Sequence, residues 1–404
     1  MVIIIGSGAG GGLLAWELAN SGIPVTILEK GPYIESKDAL NYYDPSSEGL
    51  DLLKTSCIGG STVVSCGNGV RILEDKFEEY GIDLSHYYDY VEELLDVHYL
   101  NDSHIGEGTQ LFIDSAKELG LNVGKMPKFI SESKCIQCGK CAFGCPVDAK
   151  WTSKEFVDNA VGCGAKLICN CEAIELISEN NKIKAVKVLI DGNEEILESD
   201  CIILSAGAIG SPLLLRTLGI NAGQKLFMDP FVTLGGVLKD INFFKEIQMN
   251  ALVEEGNFIL SPHFSSFLTT NVDDDTIENK DILSIMVKTP DEGQGYISDE
   301  GEVVKINTIQ DIRFLAEGVA VAGSILQKAG VDASTISSTI YRGAHPGGSA
   351  SIGEFVDANL ETVISGLYVV DASVLPVSPG APPILCILAL SKKLADYLKK
   401  EEEI

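Results

Sequence analysis

The chain has 404 residues, enough for one two-part enzyme or two compact domains, and 45% of them are hydrophobic, with 41 glycines, a composition that excludes disorder. Its 30 basic residues face 58 acidic ones, a formal charge of −28, and a surface that acidic repels phosphate backbones, which excludes general nucleic-acid binding. The longest apolar runs, 201–215 and 374–390, are broken by Gly, Ser or Pro, so no membrane span is predicted.

Met1–Ile5 (MVIII) is a short β-branched run, the pattern of a buried parallel strand. No basic region, apolar core and cleavage site precede it, so a cytoplasmic protein is expected. A glycine-rich turn follows and matches G-x-G-x-x-G at Gly6, Gly8 and Gly11. A helical stretch, Leu13–Ser21, and a second strand, Pro24–Leu28, lead to Glu29. In such a unit the glycines allow a tight turn, close approach to a pyrophosphate, and close packing of helix on strand. The helix N-terminus, opening near Ala9, offers unpaired donors to phosphates, and the acid after the second strand accepts from ribose hydroxyls. A dinucleotide is expected; the fingerprint alone does not separate FAD from NAD.

Eleven cysteines in a chain expected to be cytoplasmic signal metal or redox chemistry where they cluster. Cys135, Cys138, Cys141 and Cys145, followed by Pro146, read C-x2-C-x2-C-x3-C-P. Loops of this spacing wrap thiolates around one iron–sulfur cubane, and Gly139, Ala142 and Gly144 leave room for backbone N–H groups. A four-iron cluster is expected ahead of a three-iron one. In two-cluster ferredoxins the fourth cysteine serves the other cluster, so a remote cysteine stays open as fourth ligand. A structural zinc site or no metal are the competing readings.

Further along, Cys57 to Thr62 (CIGGST) is a second glycine-rich loop. Asp200–Leu204 reads as a buried strand leading into Ser205-Ala206-Gly207-Ala208-Ile209-Gly210-Ser211-Pro212 and a Leu-rich helix. Gly366–Val370 is another strand and ends in Asp371-Ala372-Ser373. Between these lie a helical, aromatic and acidic stretch (79–100), a strand-like alternation (240–306), and the polar loop 273–280, read as a solvated turn.

With the segment His345-Pro346-Gly347-Gly348-Ser349, these motifs in this order resemble the glucose–methanol–choline oxidoreductases from Met1 to about Leu398. The resemblance implies an α/β fold: a Rossmann-like FAD-binding domain assembled from separated segments, plus an α+β substrate or lid domain with an antiparallel sheet. The FAD-binding segments would be 1–72, 151–225 and 340–404, the cysteine cluster would sit in an insertion over 73–150, and 226–339 would form the lid. FAD would lie against Gly6, Gly8, Ala9 and Gly11, along Gly59, Gly60, Ser61 and Thr62, and beside Ala206, Gly207, Ala372 and Pro383, with Glu29 and Asp371 on its ribose and ribitol. Some relatives carry a cysteine-rich stretch like the one through Cys145-Pro146 to Lys150.

Oxidation of an alcohol needs its hydroxyl proton removed as hydride leaves carbon, and a neutral imidazole suits that task. The resemblance assigns it to His345; His86, His98, His104 and His263 stand in no motif and read as surface or packing residues. The family pattern places Asn or His ahead of a Pro after the last strand, whereas here Pro382 stands there, with no side-chain donor. The expected function is an FAD-dependent alcohol or polyol dehydrogenase whose electrons leave through the cluster to an external acceptor protein. A reductase running the other way, acting on a carbonyl substrate, and a non-catalytic electron-transfer subunit are the alternatives.

Overall fold

The computed structural model describes residues 1–44 and 51–402. Strand β1 (Val2–Ile5) leads into helix α1 (Ala9–Asn20) and strand β2 (Val25–Leu28). After a long excursion come β3 (Lys166–Ile168), β4 (Cys201–Leu204) and helix α2 (Gly207–Arg216). Next follow β5 (Pro230–Val237), β6 (Ala251–Glu255), β7 (Phe258–Pro262) and β8 (Ile282–Lys288). Helix α3 (Ile309–Lys328), β9 (Leu367–Val369) and helix α4 (Ile384–Glu402) complete the main elements.

The first sheet runs β9-β4-β1-β2-β3, every pairing parallel. Its central strand β1 is apolar on both faces because helices and loops cover both, and all four residues are buried. Each such aliphatic side chain contributes about 1.5–3 kcal/mol by leaving water. The α1 and α4 helices pack on this sheet, and Trp16 of α1 stacks on Phe156 with ring centroids 5.2 Å apart. The helix Ser85–Leu94, from the expected insertion, packs Tyr88 and Val91 into this same core.

Helix α2 contains Pro212, which has no N–H for the carbonyl of Ala208 four residues back. That carbonyl instead accepts from Ser349 Oγ at 2.5 Å. The break in the helix thus ties the His345 segment to the first sheet.

The second sheet is mostly antiparallel, in the order Asp51–Leu52, Arg342–Gly343, β5, β8, β7, β6 and Val123–Lys125. It contains the strands expected after residue 240 and gathers four short partners from distant parts of the chain, Ser337–Ser338 also pairing with β5. Helix α3 covers one face, with Ala322, Ile325 and Leu326 in a second core. No helix among the described residues is long and apolar enough to cross a membrane.

Candidate active site

The carboxyl ends of β1, β2, β4 and β9 open onto a cavity of about 670 Å³, whose other wall comes from β5 and β8 of the antiparallel sheet. Crevices at strand carboxyl ends are where α/β sheets take ligands. Gly6, Gly8, Ala9, Glu29, Gly60, Ser61, Thr62, Ala206, Gly207, Asp371, Ala372, Pro383 and His345 all line it. Gly11 and Gly59 stand behind that wall and support it.

The glycines divide by task. Gly6 has φ +101°, and a Cβ there would meet the carbonyl of Ser205. A Cβ on Gly11 would lie 2.0 Å from the Gly6 carbonyl, so helix and turn could not approach. Gly8 is different: its backbone is extended and an added Cβ meets nothing. It borders open cavity. The α1 N-terminus beside it has no side-chain cap and no acid in its first turn, which leaves its N–H groups free for an anionic ligand.

Polar contacts stitch the loop Gly59–Thr62 to this turn. Ser7 Oγ donates to Glu29 Oε2 at 2.5 Å and accepts from Gly59 N–H at 3.0 Å. Ser153 Oγ donates to the carbonyls of Ser7 and Gly8, while Ser153 N–H donates to Thr62 Oγ1. Glu29 also accepts from Gly31 N–H at 2.8 Å, and Asp371 accepts from Gly207 N–H, Ser211 Oγ and Ser373 N–H. Burial pushes both carboxyls above their ordinary range, against these hydrogen bonds. Two carboxylates at strand ends, a bare helix N-terminus and an open glycine together fit the ribose, ribitol and pyrophosphate of a dinucleotide.

His345 stands on the cavity wall with φ +57°, and its Nδ1 lies 3.1 Å from Asp229 Oδ2. Asp229, also left-handed at φ +44°, is fully buried and accepts from Ser378 Oγ and Gly380 N–H through its other oxygen. Two non-glycine residues held in this sparsely populated region mark a place the surrounding structure over-determines. With Nδ1–H directed to the carboxylate, Nε2 keeps its lone pair. Burial, with Lys288 nearby, lowers the His345 pKa to about 4 against the pull of Asp229. Although its side chain is 24% exposed, the imidazole stays neutral near pH 7.

Asp229, Ser153 and Lys288 carry no motif and were not singled out in the sequence. The only trace of Asp229 is an Asp-Pro pair opening β5; Lys288 merely ends the apolar run ILSIMVK. His263, expected as a packing residue, lines the cavity, as does Pro382.

The cysteine loop lies against the same cavity: Ala142 lines it, and the Ala142 carbonyl accepts from Tyr43 Oη at 2.7 Å. Cys135, Cys141 and Cys145 pack on one apolar patch with Leu100, Ile130, Ala149 and Ile247. No three Cys, His, Asp or Glu side chains among the described residues are gathered as a site for a metal ion, so the cluster expected from their spacing is not shown. The loop follows packing contacts instead: Gly139 sits against the Phe244 carbonyl and Gly144 against that of Ser36.

The family model for GMC oxidoreductases matches residues 51–240 and its C-terminal counterpart residues 303–391, with an NAD(P)-binding Rossmann-like model over residues 4–35. The chain belongs to the GMC oxidoreductase family. As such it is an FAD-dependent oxidoreductase, with the Rossmann-like and antiparallel halves described above. Among its relatives, an uncharacterized protein of Methanocaldococcus jannaschii is 35% identical over 396 residues, covering 96% of this chain and 97% of the other. A long-chain-alcohol oxidase of Arabidopsis thaliana is 22% identical over 509 residues, covering 99% of this chain and 68% of that protein. Of solved structures, pyridoxine 4-oxidase from Mesorbium loti superposes with a TM-score of 0.75 at 15% identity, over 99% of each chain. A formate oxidase gives 0.77 at 17% identity, over 100% of this chain and 98% of the other.

The two glycines of this GMC oxidoreductase should separate on substitution. Gly11→Ala is expected to cost about 1–3 kcal/mol by overpacking and to lower the melting temperature. Gly8→Ala should lose bound FAD on gel filtration, yet melt like the parent once both are stripped of FAD.

The neutral histidines also predict a pH effect. In the unfolded chain His345 and His263 protonate near pH 6.5, whereas burial holds them at about 4 and about 3. Stability from His345 is therefore complete above about pH 6.5 and lost as pH falls towards 4. Melting curves of the parent and His345→Gln should converge towards low pH, and the difference isolates this histidine from the buried carboxyls.

Proposed function

We propose that this oxidoreductase oxidises the CH–OH group of an alcohol, with His345 as the general base. The observation that carries this reading is the His345–Asp229 pair on the cavity wall: a neutral imidazole whose Nδ1–H is held by a carboxylate, leaving Nε2 as acceptor. Bound FAD would supply the two-electron acceptor for hydride at its N5. The rest falls to side chains. His345 Nε2 takes the hydroxyl proton as the C–H bond breaks, and Asp229 fixes the tautomer and stabilises the imidazolium that forms. Phe231, Met249 and Met286 make the antiparallel wall apolar, which suits the hydrocarbon part of an alcohol. The name of the Arabidopsis relative, a long-chain-alcohol oxidase, agrees with that wall.

Under anaerobic conditions, a series of primary alcohols should bleach the flavin of the purified protein. His345→Ala should slow this at least about 100-fold with FAD retained, and Asp229→Asn by about tenfold. A flavin bleached equally fast in His345→Ala would overturn the assignment of the base.

The finer reading, that electrons leave through an iron–sulfur cluster on Cys135, Cys138, Cys141 and Cys145 to an acceptor protein, rests on donors and charge. Backbone N–H groups of Gln137, Gln248 and Ala149 donate to the sulfurs of Cys135, Cys141 and Cys145. Lys128 and Lys150 are wholly buried next to these thiols, and their hydrogen-bond partners are carbonyls, one amide oxygen and a hydroxyl, never a carboxylate. Buried cations need a counter-charge, and a thiolate cluster carries one. Such a cluster would supply a one-electron exit from the flavin. Protein purified anaerobically should contain about four irons and four acid-labile sulfides per chain. Zinc in their place, or no metal at all, would leave two-electron flavin chemistry alone.

A further inference from the structure

We propose that Lys288 is an oxyanion-binding group of this site, its ammonium donating to the reacting oxygen of the substrate in the role that Pro382 cannot fill. The inference rests on the alcohol-oxidising reading above and deepens it.

Lys288 ends β8 in the middle of the antiparallel sheet, facing Phe231 of β5 and Ile259 of β7 in register. A lysine there is unusual, because the position is closed to water: the residue is 2% exposed. Its Nζ has no hydrogen-bond partner among the described residues, yet Lys288 lines the cavity. Besides the through-space pull of Asp229, it meets the ring of Phe231, whose centroid lies 4.9 Å away. A cation–π contact of this kind falls well short of the cost of burying an unpaired ammonium. Such a group is retained where a ligand supplies the missing partner.

The neighbouring groups do not supply it. The Asp229 carboxylate faces Lys288 but already accepts from His345, Ser378 and Gly380. The Cys66 thiol is pushed up to about 11 by burial and stays uncharged. His345 and His263 are neutral, and Arg342 near His263 has the same sign as Lys288. The cavity wall beside the proposed base thus carries an ammonium that Asp229 offsets only through space and that no described group hydrogen-bonds. As the hydroxyl proton passes to His345 Nε2 and hydride leaves carbon, negative charge builds on the substrate oxygen. A fixed ammonium there stabilises that charge more than it stabilises the neutral alcohol, which is what lowers a barrier.

Burial brings the Lys288 pKa down to about 8, so the group is cationic at pH 7 and loses its charge above 8. Around that range His345, His263 and Cys66 do not titrate, whereas Lys128 and Lys150, which share Cys66 as a neighbour with Lys288, are also brought down to about 8. Benzoate and its neutral isostere benzamide are suitable probes: one presents an oxyanion, the other does not, and neither requires turnover. Calorimetric titration of the purified protein should show benzoate binding at least about tenfold tighter than benzamide at pH 7. The preference should shrink by up to about tenfold per pH unit above 8. Lys288→Met should abolish it and Lys288→Arg should keep it. Equal affinities at pH 7, a preference indifferent to pH between about 7 and 9.5, or one that survives Lys288→Met, each overturns the proposal. Lys288→Arg keeps its charge above pH 8 and leaves Lys128 and Lys150 as they are, so it should hold the preference to about pH 9.5 where the parent loses it, and this contrast decides the matter even where Lys288→Met does not fold. Failure of the alcohol reading would appear separately, as a flavin that no alcohol bleaches while the anion preference persists.

Discussion

Parallel pairing of β1 between β2 and β4 is the constraint on which the rest depends. These strands come from the beginning and middle of the chain, and β9 joins β4 from near its end. Because all run in one direction, their carboxyl ends open at one edge, and every loop that follows them faces the same space. Gly6 and Gly11 permit that edge to be crowded: the turn lies against the Ser205 carbonyl and the helix against the turn. The cavity is what remains between this edge and the antiparallel sheet.

The antiparallel sheet supplies the chemistry that the first sheet lacks. The parallel half is rich in N–H donors and carboxylates, suited to holding a dinucleotide. The other half contributes Asp229 at the start of β5 and Lys288 at the end of β8, on adjacent strands. His345 sits between, joined to Asp229 by its side chain; Ser349, four residues on, ties the segment to α2. A histidine, the carboxylate bonded to it and a cation therefore converge from three chain segments onto the cavity. Buried positive charge recurs in Lys128, Lys150 and Lys288, an unexpected feature in a chain of net charge −28. Acidic residues dominate the composition, yet these cations line its interior, where low dielectric makes each of them count.

Much of this was legible in the sequence wherever chemistry is local. A strand, a glycine turn and a helix declare themselves over about thirty residues because the tight turn and close packing tolerate only glycine at set offsets. The same holds for the His345 segment, whose neighbours Pro346 to Ser349 mark it out from the other four histidines. The cysteine spacing was equally legible, whereas the close approach of Gly139 to the Phe244 carbonyl and of Gly144 to that of Ser36, which sets the path of the loop, was not.

By itself, then, the sequence determined the dinucleotide-binding half, the family and the identity of the histidine, since each is encoded by residues adjacent along the chain. Tertiary structure alone decided that Asp229 orients His345 across 116 residues, that Lys288 points unpartnered into the cavity, and that Lys128 and Lys150 lie behind the cysteines. The physical reason is that a side chain's charge, partner and pKa are set by what surrounds it after folding. An aspartate before a proline, or a lysine at the end of an apolar strand, reads as unremarkable until the sheet closes around it.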